Sequence, residues 1–173
     1  MQMIIRPIRD CDIQEIAKIY TDNWKITYQG ILSEAFLESL TYEHSAEKWL
    51  AYIHIERQGA FVAIDDNDRI IGFSAYKPYD DINKCLLLDS LHILQTVQGH
   101  GIGKKMIFAT GEYAYNSGYE KMSICIVKGN DRAEGIYTHL GAKHYKDFTD
   151  DFEGTPSNSA VLLWNDLKIF GCK

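Results

Sequence analysis

A chain of 173 residues with 46% apolar and 24% charged side chains is expected to form one ordinary globular domain over residues 1–173, large enough to bury a real core. Its net charge of −6, with no basic block, speaks against a nucleic-acid partner. No stretch approaches the ~18 consecutive apolar residues of a membrane span, the opening run ends at Arg6-Pro7 without a signal-peptide cleavage region, and Cys11, Cys85, Cys125 and Cys172 are scattered without CxxC spacing, so a soluble protein of the reducing cytoplasm is expected.

Residues 3–7 read as a first strand. Asp10 or Asp12 can cap the helix that follows, in which Ile13, Ile16, Ala17 and Tyr20 recur at helical spacing. The aromatic-rich stretch 24–32, holding Trp24, Tyr28 and Gly30, reads as a connection. Ser33 can cap a short helix with Phe36, Leu37 and Leu40 on one face, and a further helix is expected over 44–55 with Trp49, Tyr52 and Ile53 inward. Strands follow at 60–64 and 70–76, joined by the turn Asp65-Asp66-Asn67-Asp68. Residues 86–93 form the near-continuous apolar run of a central strand, interrupted by Asp89.

A helix over 102–117 shows Ile102, Met106, Ala109, Thr110 and Tyr113 on one face, with Gly118 at its C′ position. Residues 121–127 read as a buried strand, and 131–140 as a helix closed by Gly141. Residues 142–147 and 160–164 read as a final strand pair, and 149–159, with three acids, Gly154 and Pro156, as a mobile loop between them. The pattern implies an α/β (α+β) architecture: a single mixed sheet with helices on both faces.

Between the strand at 86–93 and the helix from 102 runs Gln98-Gly99-His100-Gly101-Ile102-Gly103-Lys104-Lys105. A strand, a glycine-bearing loop and a helix start leave backbone N–H groups unpaired beside the positive end of a helix dipole, which favours phosphate. Gly101 and Gly103 let a ligand approach the backbone, and Lys104 and Lys105 add positive charge. The bland alternative is a glycine-rich turn with two surface lysines. A P-loop needs Ser or Thr after its lysine, and here Lys105 and Met106 follow Lys104. The alternating Gly99, Gly101 and Gly103 do not make a Rossmann G-x-G-x-x-G either.

What these residues do resemble is Gln/Arg-x-x-Gly-x-Gly/Ala, the acetyl-CoA signature of the GNAT N-acetyltransferase superfamily, with Gln98, Gly101 and Gly103 in its fixed places. The opening residues 4–12 are similar to the family's first strand and helix. Residues 130–142 resemble its Asn-x-x-Ala-x-x-Phe-Tyr-x-x-x-Gly-Phe, with Ile136 and Ala142 replacing the aromatics. The resemblance implies a mostly antiparallel mixed sheet of about six to seven strands, splayed between the fourth and fifth.

It also implies acetyl-CoA as cosubstrate, with Leu91, His92 and Ile93 along the pantetheine arm. Val97, Gln98, Gly99, His100, Gly101, Ile102, Gly103, Lys104 and Lys105 would cover the pyrophosphate, and Asn130 would help fix the cofactor or simply cap its helix. Tyr137 takes the place of the general acid, against the alternative of a core tyrosine. Asp89, a carboxylate within an apolar strand, is the candidate base, or else a polar residue paired with a nearby Lys or Arg. Strand alternation puts His92 on the opposite face from Asp89.

Trp24, Tyr28 and Gly30, with Tyr76 and Tyr79, are candidates for the acceptor pocket, against core packing. Asp80, Asp81, Asp147, Asp150, Asp151 and Glu153 are candidates for its rim. The six histidines do not cluster at ligand spacing, so no metal is expected. The implied reaction is direct transfer of acetyl to a small-molecule or peptide amine. A non-catalytic acyl-CoA sensor and an enzyme for a larger acyl group are the rivals, and a homodimer is common among relatives.

Overall fold

Short apolar runs punctuated by tight turns build a seven-stranded sheet in the order β1-β2-β3-β4-β5-β7-β6. The computed structural model describes residues 2–152 and 154–171. Its elements are β1 (Ile4–Pro7), α1 (Ile13–Thr27), α2 (Glu34–Ser39), α3 (Tyr42–Ile53), β2 (Gly59–Ile64), β3 (Ile70–Pro78), β4 (Cys85–Ile93), α4 (Ile102–Asn116), β5 (Lys121–Val127), α5 (Asp131–His139), β6 (Lys143–Phe152), β7 (Thr155–Trp164) and α6 (Lys168–Gly171). Every neighbouring pair is antiparallel except β4 and β5. No helix among the described residues is long and apolar enough to cross a membrane.

The two faces are covered by different helices. Ile16 and Tyr20 of α1 and Trp49 of α3 pack on Val62, Phe73 and Ala75. On the other face Ile107 of α4 and Phe170 of α6 pack on Leu86, Leu88 and Met122. Polar caps set where the helices begin: Ser33 Oγ accepts the Phe36 N–H, Thr41 Oγ1 the His44 N–H, and Asn130 Oδ1 the Ala133 N–H. Arg6 reaches from β1 to Asp12 at 2.7 Å, tying the first strand to the entry of α1.

Two segments differ from the sequence-based expectation. First, α1 continues through Trp24 to Thr27, so the connection is shorter than 24–32. Nothing between Trp24 and Thr27 breaks a helix, and Gly30, at φ +78°, is the first residue to take a left-handed conformation. Trp24 and Tyr28 then meet one turn apart, with ring centroids at 4.5 Å.

Second, most of 149–159 is not a loop. β6 and β7 run antiparallel as a long hairpin, paired from Lys143↔Leu163 to Phe152↔Thr155. Acids are poor strand formers and β6 is an edge strand, so its alternation is hard to read: Lys146, Phe148, Asp150 and Phe152 are half-buried between exposed neighbours. Pro156 lies beyond Ser159, where β7 pairs with β6 and no longer with β5, so its missing N–H removes no bond to a central strand.

The parallel pairing of β4 and β5 runs from Cys85↔Lys121 to Leu88↔Ile124 and ends there. At the same level β4 carries a bulge: Ser90 lies opposite Ala75 and Leu88 opposite Tyr76, leaving Asp89 as the extra residue. Beyond it the two strands diverge, and the edge of residues 89–93 that faces β5 has no strand partner among the described residues.

Candidate active site

The divergence of β4 and β5 opens a cleft of about 1010 Å³. Residues 89–93 of β4, residues 124–127 of β5, the glycine loop and α5 line it, and the rings of Trp24, Tyr28, Phe36 and Phe152 form part of its wall.

The loop is held open at one end of the cleft. Gly99 at φ +86° and Gly101 at φ +76° require glycine, and where their Cβ atoms would lie there is free space. Gly101 is the N-cap of α4, with no side chain capping the first turn, so those N–H groups remain available to an anion. Gln98 ties the loop to the fold: its Nε2 donates to Ile93 O at 3.0 Å, and its Oε1 accepts from Arg132 Nη1 at 3.2 Å. Asn23 Nδ2 donates to the same Ile93 carbonyl at 2.9 Å. Val97, Ile102, Gly103, Lys104 and Arg132 line the cleft with them. His100, whose Nδ1 sits 3.2 Å from Val97 O, and Lys105 lie outside that lining. These features fit a pyrophosphate: flexible cations and backbone donors around a cradle that a side chain would fill.

Asn130 caps α5 through the Ala133 N–H and lies near the Tyr28 phenol, which burial pushes up. Burial and the neighbouring Tyr28 push the Tyr137 phenol well above its ordinary value, so it stays protonated at neutral pH. Tyr137 is 7% exposed and lines the cleft.

The bulge overturns one expectation. Leu88 and Leu91 both pack toward α4, so side-chain alternation slips by one position across Asp89. His92 therefore stacks on Phe73 at 5.4 Å and meets Tyr20 edge-on at 5.2 Å, on the face covered by α1 and α3. Asp89 lies toward the same face, near Tyr52 of α3; burial and then the Asp89 charge push that phenol far up. Both residues line the cleft. Burial and then Lys48 pull His92 down to about 3, which keeps it neutral. Asp89 has Lys77 Nζ at 3.4 Å, so it is both cleft-lining and paired.

The other candidates separate clearly. Trp24 and Tyr28 line the cleft; Gly30 lies in the turn outside it. Tyr76 is core, 4.4 Å from the Tyr113 ring, and Tyr79 packs beside Ile82 and Cys85. Asp81 pairs with Lys146 and Asp147 with Lys128, while Asp150 and Asp151 reach the cleft. Glu153 and Cys172 lie outside the described residues. Sequence reasoning missed Asn23, Lys48, Cys125, Arg132 and Ser159. Only Arg132 had a signal, its place at the start of α5.

Comparisons with known proteins agree with this geometry. The chain is 28% identical over 165 residues to the uncharacterized N-acetyltransferase YuaI of Bacillus subtilis (strain 168), covering 90% of this chain and 89% of that one. Its fold is similar to that of the PaiA N-acetyltransferase from Thermoplasma acidophilum, solved in complex with coenzyme A (TM-score 0.76, 22% identity, 92% of this chain and 98% of that chain). It is also similar to a mutant of the spermidine N-acetyltransferase SpeG from Vibrio cholerae (TM-score 0.74, 18% identity, 98% of this chain and 96% of that chain). The family model described as acetyltransferase (GNAT) family matches residues 14–142, from the first helix through the glycine that closes α5. With most of the chain inside that match, the protein belongs to the acetyltransferase (GNAT) family.

Proposed function

We propose that the protein moves an acetyl group from acetyl-CoA to a primary amine by direct attack within a ternary complex. The observation that carries this reading is the convergence in one cleft of the unpaired β4 edge, the glycine loop at the start of α4, and a buried, protonated Tyr137. The thioester supplies the activated acetyl group; this chain's residues position it and move the protons. Residues 97–99 and 101–104, with Arg132, hold the pyrophosphate end, and the free edge of β4 pairs with the pantetheine arm. The same edge carries backbone N–H groups suited to stabilising the oxyanion.

Asp89 takes the first proton from the ammonium, directly or through a water. The amine nitrogen then forms a bond to the carbonyl carbon as the C–S bond breaks. Tyr137 donates its proton to the departing sulfur, and the second N–H proton returns to the phenolate through water, so the products are the amide and free CoA thiol. The raised position of Tyr137 makes it a weaker acid but keeps the proton in place until charge builds on the sulfur.

Thiol release from acetyl-CoA across a panel of amines tests the activity. Tyr137→Phe should lower turnover by about 10²-fold while calorimetry shows acetyl-CoA affinity nearly unchanged. Undiminished turnover in the mutant would remove Tyr137 from the mechanism.

A further inference from the structure

Asn23 is a polar residue on the buried face of α1, 4% exposed and at helical spacing from Ile16, Ile19 and Tyr20. A buried amide is costly unless hydrogen-bonded, and this one is engaged at both ends. Its Nδ2 donates to Ile93 O at 2.9 Å, and its Oδ1 accepts from Gln95 Nε2 at 3.0 Å. Both bonds leave α1 for a distant part of the chain, the last residue of β4 and the turn just beyond it.

The direction of the Ile93 carbonyl gives these bonds their meaning. The Leu94 N–H donates to Ile71 O of β3 at 2.8 Å. Ile93 O, in the same trans peptide unit, therefore points the opposite way, to the edge of β4 that faces β5. By the alternation of an antiparallel strand, the N–H groups of Leu91 and Ile93 lie on that edge too. No strand pairs with it there among the described residues, so those N–H groups are left to a ligand. The Ile93 carbonyl is not left: it accepts from Asn23 and, at 3.0 Å, from Gln98 Nε2. Meanwhile the Ile93 side chain packs against Ile71, Ile102 and Met106. The end of β4 is thus held from two sides, by α1 through the carbonyl and by α4 through the side chain.

We propose that Asn23 is a positioning residue for the cosubstrate: it holds the end of β4 so that the free N–H groups of Leu91 and Ile93 meet the pantetheine arm. This rests on the N-acetyltransferase reading, in which that edge takes the arm. The pyrophosphate end does not depend on Asn23, because Gln98 ties the loop to Ile93 O and to Arg132 by its own bonds.

Calorimetry on the full-length protein with two probes separates these roles: acetyl-CoA, and 3′-phospho-ADP, which carries the phosphates but no arm. Asn23→Ala loses both hydrogen bonds. Asn23→Asp keeps the shape and the Gln95 bond, but an ionised carboxylate cannot donate to Ile93 O. Both variants, checked for native circular dichroism, should bind acetyl-CoA about fivefold to tenfold more weakly, as expected for one hydrogen bond. Their affinity for 3′-phospho-ADP should stay near that of the wild type. Gln95→Ala, which leaves the Ile93 bond in place, should bind both probes as the wild type does. In thiol-release assays the KM for acetyl-CoA should rise in the two Asn23 variants while kcat changes little. Unchanged acetyl-CoA affinity in the Asn23 variants, or an equal loss for both probes, would overturn the positioning role. In the wild type, acetyl-CoA should slow amide hydrogen exchange over residues 89–93 and 3′-phospho-ADP should not. Equal effects of the two would overturn the reading that this edge takes the arm, whatever the variants do.

Discussion

Gly101 shows how a single residue serves the cleft. It sits at φ +76° with free space beside it, so alanine there meets no clash but must adopt a left-handed conformation. That strain costs about 1–2 kcal/mol, and the new methyl group occupies the cradle at the start of α4. For Gly101→Ala we expect a lower melting temperature and a several-fold higher Kd for acetyl-CoA by calorimetry. An unaltered Kd would mean that the ligand does not approach this backbone. Gly103 differs: a Cβ there would meet Ile93 Cγ1 at 3.9 Å, an ordinary contact. The motif was legible in the sequence, but which glycines are obligatory depends on backbone angles that no spacing reveals.

Among the elements, the pairing of α4 with α6 turns on Gly111. A Cβ at this position would run into the Phe170 ring, which also contacts Phe108 and Trp164. In an exposed helix, Gly→Ala stabilises by about 1 kcal/mol; here overpacking should reverse the sign. Gly111→Ala is expected to lose about 1–3 kcal/mol, read as a lower urea midpoint with an unchanged slope. A stabilised variant would show that α6 swings away freely.

The strands teach a related lesson. β2 through β5 were readable because buried strands are apolar runs, and two helix starts because Ser33 and Asn130 are capping residues; the cap at Thr41, which starts α3 two residues before the expected 44, was not read. The outer part of the β6–β7 hairpin was not, because an edge strand half in water tolerates acids and a proline that in isolation mark a loop.

For the molecule as a whole, acid stability gathers these local effects. His92 is held neutral in the fold, its pKa pulled down to about 3, whereas in an unfolded chain a histidine titrates near 6.5. The unfolded state therefore binds a proton that the folded state refuses, and stability falls as pH drops from about 6.5 toward 3. Asp12 acts at lower pH. Hydrogen bonding to Arg6 holds its carboxyl below the usual range, so its contribution is present above about pH 4 and is lost as pH falls through the folded value. Urea midpoints measured from pH 7 to pH 3 should decline, and His92→Gln should flatten the limb above about pH 4 while leaving the decline below it. An equally steep limb in the variant would show that His92 does not carry it.

The cleft, too, is a property of the whole molecule. Lys104 and Arg132 line it beside the glycine loop, and Asp89, Asp150 and Asp151 line it from β4 and β6, so its charged lining is assembled from β4, α4, α5 and β6.

By itself the sequence determined the order of the elements, the caps at Ser33 and Asn130, the glycine loop and the family likeness. These depend on neighbours within a turn or two of chain, where periodicity and backbone chemistry act directly. The start of α1 was not among them: there Asp12 holds Arg6 and the Arg9 N–H and makes no side-chain cap. The tertiary structure alone decided that Asp89 and His92 share a face, that Asp150, Phe152 and Ser159 join the cleft, and that Tyr76 does not. Those outcomes hang on one bulge and on the pairing of distant strands: a one-residue slip in register turns a side chain to the other face, and no local pattern records it.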